Sequence, residues 1–178
     1  EKVYDAFVNA YVEQCKKLSI GDPLDKTTDI GPLSRKEQQA FLSSQVDDAV
    51  ILGATVMSGG KIPSGKGYYF EPTVLTNVNH AMKVMTEESF GPVVGIQKVK
   101  DDAEAIQLMQ DTVYGLTASV YSKSFERAEA VMNEMQTGTV YWNCCDRVSA
   151  SLPWSGRKQS GFGATLSYQG IRAYVQPK

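Results

Sequence analysis

The loop at residues 87–94, with the sequence EESFGPVV, combines side chains that suit the binding of a small ligand. Glu87 and Glu88 carry carboxylates, and a carboxylate can accept hydrogen bonds from both hydroxyls of a vicinal diol. Phe90 stands two residues after Glu88, where its ring can abut a flat heterocycle. One interpretation is therefore a site for a ribose-linked ring, on a loop stiffened by Gly91-Pro92. The alternative is a solvated pair of loop carboxylates, the usual state of such residues.

A pair of adjacent cysteines, Cys144 and Cys145, follows the apolar stretch that ends at Trp142. A thiol in a loop at the end of a strand can act as a nucleophile, or it can pack and line a pocket. The sequence holds one histidine, His80, and specifies no Cys-His-Asn arrangement, so both interpretations stay open. Because His80 has no partner histidine or cysteine motif around it, no metal site is expected.

The elements that position these residues alternate between strand and helix from residue 93 onward. The predicted order is a strand at 93–99, a helix at 101–114, a strand at 117–121, a helix at 124–137 and a strand at 138–142. Asp101 with Glu104, and Ser124 before an apolar stripe, supply the helix starts. This order predicts an α/β fold with parallel strands and helical crossovers. Ligands in such sheets bind beyond the carboxyl ends of the strands, so the loop after Trp142 is expected to line a pocket.

The first helix is predicted from the very start of the chain, without a cap. Val3, Phe7, Tyr11 and Leu18 form an apolar stripe along it that requires a partner surface. Because Glu1 is not methionine, a cut chain that self-associates through uncovered apolar surface is expected. Removal of a tag or of initiator residues is the alternative explanation of this start.

A second helix and two extended segments complete the amino-terminal part of the chain. Ser34, followed three residues later by Glu37, predicts a capping box and a helix that runs to about residue 53. Residues 54–57 and 68–75 are predicted to be extended, with a loop between them.

The composition is that of an ordinary globular chain. Of its 178 residues, 42% are hydrophobic and 21% charged, the net charge is -2, and the isoelectric point is near 5.5. This charge gives no basic field to attract nucleic acid or anionic lipid. No apolar run is long enough for a membrane span, and no leader pattern is visible. Cys15, Cys144 and Cys145 are interpreted as reduced thiols, so a cytoplasmic protein is expected.

At EESFGPVV the chain resembles the aldehyde dehydrogenase superfamily, and the resemblance extends over essentially all 178 residues. The matching motifs occur in the family's order: Gly21-Asp22-Pro23, Asp29-Ile30-Gly31-Pro32, Gly67-Tyr68-Tyr69-Phe70, Pro72-Thr73-Val74, EESFGPVV, Tyr114-Gly115-Leu116, Gly138-Thr139-Val140 with Asn143, and residues 152–161, LPWSGRKQSG. The resemblance implies oxidation of an aldehyde by NAD or NADP. It proceeds through a cysteine thiohemiacetal, hydride transfer and hydrolysis of a thioester by a glutamate-activated water.

Carried over by position, the resemblance assigns roles to six residues. Glu88 matches the carboxylate that binds the nicotinamide ribose, Phe90 the aromatic beside the nicotinamide, and Leu116 a nearby apolar contact. Asp146, Val148 and Trp154 fall where the family lines its aldehyde tunnel. Cys144 and Cys145 lie in that same segment and do not match the nucleophile.

The departures from the family pattern bear on activity. The family's nucleophile stands in a Phe-x-x-x-Gly-Gln-x-Cys context that no part of this sequence matches. Gly163-Ala164-Thr165 replaces the Gly-Arg-Glu of many members, which indicates a divergent branch. The resemblance thus implies that residues 1–178 are the carboxyl-terminal part of a catalytic domain, a three-layer α/β unit with helices on both faces of its sheet.

On this interpretation the nucleophile segment and the cofactor-binding domain lie outside the chain. The parent is expected to be an NAD- or NADP-dependent enzyme acting on a small aldehyde, and a homo-oligomer. The chain alone is expected to be inactive and to bind no cofactor tightly. The alternative is a non-catalytic assembly module built on the same fold.

Overall fold

The computed structural model describes residues 2–176, which form two compact units that meet in sequence between Lys100 and Asp101. The helices are α1 Tyr4–Cys15, α2 Lys36–Ile51, α3 Lys83–Thr86, α4 Asp102–Gln110, α5 Phe125–Glu134 and α6 Ser167–Arg172. The strands are β1 Thr55–Ser58, β2 Thr73–Thr76, β3 Val93–Gly95, β4 Tyr114–Gly115, β5 Thr117–Val120, β6 Thr139–Trp142 and β7 Arg157–Lys158. The expected α/β class, with parallel strands and connecting helices, is confirmed.

The first unit is built on a three-stranded sheet in the order β1-β2-β3. The central strand, β2, is buried at all four residues, as a strand covered on both faces must be. β3 lies parallel to β2, with Thr73 opposite Val93 and Leu75 opposite Gly95, whereas β1 is antiparallel to β2. The loop at residues 87–94 leads directly into β3, so this parallel pair fixes where the loop ends.

Helix α2 supplies one wall of the core of this unit. Leu42, Val46 and Ala49 recur at helical spacing and are buried. They pack in one cluster with Phe70, Leu75 and other apolar side chains. This packing fixes the face of α2 over which the 87–94 loop passes.

The apolar stripe of α1 divides into a buried part and an exposed part. Val8 and Val12 are buried against Val74 of β2. The predicted stripe residues Val3, Phe7, Tyr11 and Leu18 are all exposed, and four of the six residues around a cavity of about 430 Å³ on α1 are apolar or aromatic. α1 begins at Tyr4, without a side-chain cap, and Glu1 lies outside the described residues. Self-association of the chain stays a prediction.

The second unit contains the β-α-β arrangement that the alternating pattern predicts. Strands β5 and β6 are parallel, with Thr117 opposite Thr139 and Val120 opposite Trp142, and α5 connects them. β4 and β7 form a separate antiparallel pair. Both predicted helix starts are confirmed, because Asp101 accepts a hydrogen bond from the Glu104 amide and Ser124 from the Arg127 amide.

The capping box predicted at Ser34 is wrong. The residue that precedes α2 is Arg35, which is extended and makes no side-chain cap hydrogen bond. Ser34 therefore lies one residue too early to cap the helix, and it lines the cavity described below.

Several predicted boundaries also differ from the structure. The helix predicted at 101–114 ends at Gln110, because Tyr114 leaves it to pair with Lys158 in the β4–β7 ladder. The strand predicted at 93–99 ends at Gly95, and that predicted at 68–75 begins only at Thr73. The short elements α3, α6, β4 and β7 carry too little periodicity to be predicted. Within residues 2–176, no helix has both the length and the apolar character needed to cross a bilayer.

Candidate functional site

The 87–94 loop borders a cavity of about 690 Å³ in the first unit. The loop joins α3 to β3 and contributes Glu88 and Phe90 to the cavity; the remaining lining comes from the segment that enters α2 and from α2 itself. The lining residues are Pro32, Leu33, Ser34, Arg35, Gln38, Phe41, Glu88 and Phe90. The cavity thus offers one carboxylate, one guanidinium, one amide and several apolar or aromatic surfaces.

The two adjacent glutamates have different surroundings. The Glu87 amide donates to the carbonyl of Lys83 at 2.8 Å and ends α3, and its carboxylate accepts from the amide nitrogen of buried Gln45 at 3.5 Å. Both residues are exposed, but Glu88 is the one that lines the cavity. Of the two carboxylates, the one available to a ligand in this cavity is therefore Glu88.

Gln38 holds the backbone of the loop. Its Nε2 donates to the carbonyl of Ser89 at 2.6 Å and approaches that of Phe90 at 3.5 Å. Sequence reasoning missed this residue, because a single glutamine in a helix belongs to no motif. A signal exists, however: Gln38 and Gln45 flank buried Leu42 at spacings of four and three, on the core-facing side of α2. A polar side chain on such a face requires a hydrogen-bond partner, and the Nε2 groups of both glutamines donate to residues 87–90.

Phe90 is displayed to solvent in an unusual conformation. Its backbone φ is 48°, in the left-handed region that non-glycine residues rarely adopt, and the residue is 78% exposed. Such a conformation costs about 1–3 kcal/mol and persists only where neighbouring contacts impose it. On the amino-terminal side of Phe90, the Gln38 side chain donates to the carbonyl of Ser89. On the carboxyl-terminal side, the Pro92 carbonyl accepts a hydrogen bond from the Thr73 amide at 2.8 Å. The loop therefore holds Phe90 in a strained conformation, and this conformation presents the ring at the cavity.

Gly91 is required by a close approach between the loop and α2. A methyl group built on Gly91 would overlap the side chain of Leu42, which is fully buried and has no room to move away. The absence of a side chain at this position therefore sets how near Glu88 and Phe90 come to α2.

The other four predicted site residues lie in the second unit. Leu116 connects β4 to β5, is 42% exposed, and accepts a hydrogen bond from the Thr139 amide at 3.1 Å through its carbonyl. Its neighbour across the strands, Gly138, is so close to the carbonyl of Ser155 that any side chain would overlap it. Leu116 is therefore held at a point where three backbone segments converge.

Trp154, Asp146 and Val148 are positioned differently from one another. Trp154 is partly buried, and its amide and carbonyl both bond to Thr165 at 2.8 Å. Asp146 and Val148 are exposed in the loop that follows β6. The structure thus places Glu88 and Phe90 at one cavity, and the remaining predicted residues at separate places in the loops of the second unit.

Comparison with known proteins gives a consistent result across sequence and structure. The family model described as "Aldehyde dehydrogenase family" matches residues 1–178. A succinate-semialdehyde dehydrogenase [NADP(+)] 1 of Mycobacterium ulcerans is 37% identical over 99% of this chain and 38% of its own length. A chloroplastic betaine aldehyde dehydrogenase of Atriplex hortensis is 38% identical over 100% of this chain and 36% of its own length.

A solved structure agrees with these relatives. A betaine aldehyde dehydrogenase from Staphylococcus aureus in complex with NAD+ superposes with a TM-score of 0.95 at 38% identity, over 100% of this chain and 36% of that one. The chain therefore spans little more than a third of the length of each of these three proteins.

The contact between Gly91 and Leu42 gives a test of how the loop is positioned. We expect Gly91→Ala to lower the free energy of unfolding by about 1–3 kcal/mol, because the added methyl overpacks a closed core. Gly31→Ala is the matched control, since a methyl there would meet Pro23 only at 3.6 Å, an ordinary contact. Its effect is expected to stay within about 0.5 kcal/mol. Urea unfolding measures both.

The double variant Gly91→Ala/Leu42→Ala identifies the cause. If the overlap with Leu42 is responsible, the two losses will not add, and a coupling of about 0.5–3 kcal/mol is expected. Equal stabilities of Gly91→Ala and Gly31→Ala would show that the loop does not depend on this contact.

Proposed function

This chain belongs to the aldehyde dehydrogenase family, and we propose that it is the carboxyl-terminal part of the catalytic domain of an NAD(P)-dependent enzyme that oxidises an aldehyde to a carboxylic acid. The observation that carries the proposal is the placement of Glu88 and Phe90 at one cavity. The coverage of about a third of each relative supports the position within a longer enzyme. Relatives named for NADP+ and a relative crystallised with NAD+ support the cofactor class, without choosing between the two.

The cavity fits the nicotinamide end of such a cofactor. Its volume of about 690 Å³ lies in the range of small-molecule sites, and it combines an acceptor-only carboxylate with an exposed aromatic ring. A ribose presents two neighbouring hydroxyl donors, which the two oxygens of Glu88 can accept. Phe90 would lie beside the attached ring, and Leu33 and Phe41 extend the apolar surface. When bound, the cofactor supplies the acceptor for a hydride from the substrate.

The residues of this chain would act by positioning. Glu88 would fix the ribose through charge-assisted hydrogen bonds, each of which contributes about 1.5–3 kcal/mol. Gln38 would act through the loop rather than on the ligand, because its amide holds the carbonyl of Ser89 between Glu88 and Phe90. Orientation matters here because a displacement of about 1 Å at a reacting centre can slow a reaction 100-fold.

In the second unit, we assign Leu116 to an apolar contact near the nicotinamide, and Asp146, Val148 and Trp154 to the lining of the aldehyde path. The support is the match of these positions to the family's motifs, together with the backbone contacts that fix Leu116 and Trp154. We also expect the complete protein to be a cytoplasmic homo-oligomer. The free thiols of Cys15, Cys144 and Cys145 agree with a reducing compartment, and light scattering of the complete protein tests the assembly.

The role of Glu88 is tested by Glu88→Gln in the complete enzyme. Replacing the carboxylate removes the charge from the acceptor, so single-turnover hydride transfer is expected to slow by about ten-fold or more, with a smaller loss of cofactor affinity. Absorbance of the reduced nicotinamide measures the step.

Glu87→Gln is the matched control for this experiment. It makes the same chemical change one residue away, where the side chain faces Gln45, and a glutamine there can still accept that hydrogen bond. We expect its hydride transfer to stay near the wild-type rate. Equal rates in both variants and the wild type would show that Glu88 is a solvated loop carboxylate without a role in cofactor binding.

The 178 residues by themselves are predicted to be inactive. Since no segment of the sequence matches Phe-x-x-x-Gly-Gln-x-Cys, the chain lacks the thiol that would attack an aldehyde. We expect no reduction of NAD or NADP by the purified chain with any aldehyde. Turnover that disappears in Cys144→Ala or Cys145→Ala would contradict this prediction and would make the loop thiols catalytic.

A further inference from the structure

Cys144 and Cys145 form a pair of neighbouring thiols to which the proposed function gives no role. Both are free, Cys144 is partly buried, and Cys145 is exposed. They lie in the second unit, immediately after β6 and the single residue Asn143. A reagent in solution can therefore reach Cys145 directly, and Cys144 is its covalent neighbour.

The backbone that carries the two thiols is held by hydrogen bonds at Asn143 and at Cys145. Before the pair, Asn143 adopts a φ of 49°, its amide donates to Val120 at 3.0 Å, and its side chain bonds the amide and the carbonyl of Ser122 at 2.9 and 3.0 Å. At the pair itself, the carbonyl of Cys145 accepts from the hydroxyl of Ser119 at 3.2 Å. Asn143 and Cys145 are thus both hydrogen-bonded to β5 or to the residues that follow it.

Cys144 and Cys145 lie outside any strand, and both affect the phenol of Tyr121. Desolvation, the neighbouring Cys145 and Cys144, and a hydrogen bond with Cys145 together raise the pKa of Tyr121. In an extended segment two successive side chains would point to opposite sides. Cys144 and Cys145 follow β6 and the left-handed Asn143, outside any strand, so this alternation does not apply to them and both thiols can face one ligand atom.

A direct disulfide is a poor outcome for this pair. Consecutive Cα atoms are about 3.8 Å apart across a trans peptide, whereas disulfides join Cα atoms that are about 4.4–6.8 Å apart. A single atom placed between the two sulfurs relieves this mismatch, because it lengthens the link. The pair is therefore better suited to chelate a thiophilic atom than to oxidise.

We propose that Cys144 and Cys145 form a dithiol site for trivalent arsenic, in the form of arsenite or an aryl arsenoxide. With an arsenoxide, the two S–H bonds and the As=O bond are broken, two As–S bonds form, and the oxygen leaves with both protons as one water molecule. Arsenic stays trivalent, so no oxidant or reductant takes part. The second As–S bond forms within the molecule, and such an intramolecular step raises the overall affinity by about 100-fold or more over a single thiol.

The test uses phenylarsine oxide and the whole 178-residue chain. We expect the wild type to retain one equivalent in the presence of excess monothiol and to release it to a small dithiol. Cys144→Ser and Cys145→Ser each leave one thiol of the pair, and each is expected to lower the affinity by about 100-fold. Cys15→Ser is the matched control, since Cys15 is also free but has no adjacent cysteine, and it is expected to bind like the wild type.

Mass spectrometry of peptides from the wild-type adduct provides a readout that does not depend on the folding of a variant. The arsenic is expected on the peptide that contains both Cys144 and Cys145. Recovery of the label on Cys15, or unchanged affinity in both serine variants, would overturn the proposal. Because the assay involves no aldehyde and no nicotinamide, its outcome is independent of the proposed oxidation.

Discussion

The candidate site depends on one hydrogen bond, from the Gln38 amide to the carbonyl of Ser89 at 2.6 Å. This bond joins helix α2 to the centre of the loop, between the hydrogen bonds that hold its two ends at Glu87 and Pro92. Helix α2 is rigid because Leu42, Val46 and Ala49 are buried in the core of the first unit. The hydrogen bond fixes the loop to this helix at Ser89. Gly91, which follows Phe90, lets the loop lie directly against Leu42. Core packing thereby sets the positions of the side chains that line the cavity.

The same arrangement separates the two neighbouring glutamates. Glu87 ends α3 and faces the buried amide of Gln45, so it serves the structure, while Glu88 is left for the cavity. A left-handed residue at Phe90 then turns the ring to the same cavity. Two adjacent residues of one type thus acquire different roles because only one of them follows the helix directly. The strain at Phe90 is stabilised by neighbouring contacts, as is common at binding loops.

Sequence patterns predicted the parts of this fold that rest on long periodic segments. The crossover from β5 through α5 to β6, and the caps at Asp101 and Ser124, follow from spacing and local hydrogen bonding, which act over a few residues. Ser34 failed as a cap because α2 begins one residue later than the pattern predicted, with Arg35 in the capping position. The contacts of Gln38 and Gly91 could not be predicted, since they join residues about fifty positions apart and depend on three-dimensional packing. The placement of Glu88 and Phe90 at one cavity agrees with the sequence pattern because the two residues stand two positions apart in one loop.

We propose that Glu88 and Phe90 hold the nicotinamide end of the cofactor in a complete enzyme. A crystal structure of that enzyme with NAD+ would decide this. We expect the Glu88 carboxylate within about 2.5–3.2 Å of the nicotinamide ribose hydroxyls, and the Phe90 ring beside the nicotinamide. A nicotinamide ribose bound away from Glu88, with the 87–94 loop facing solvent, would contradict it.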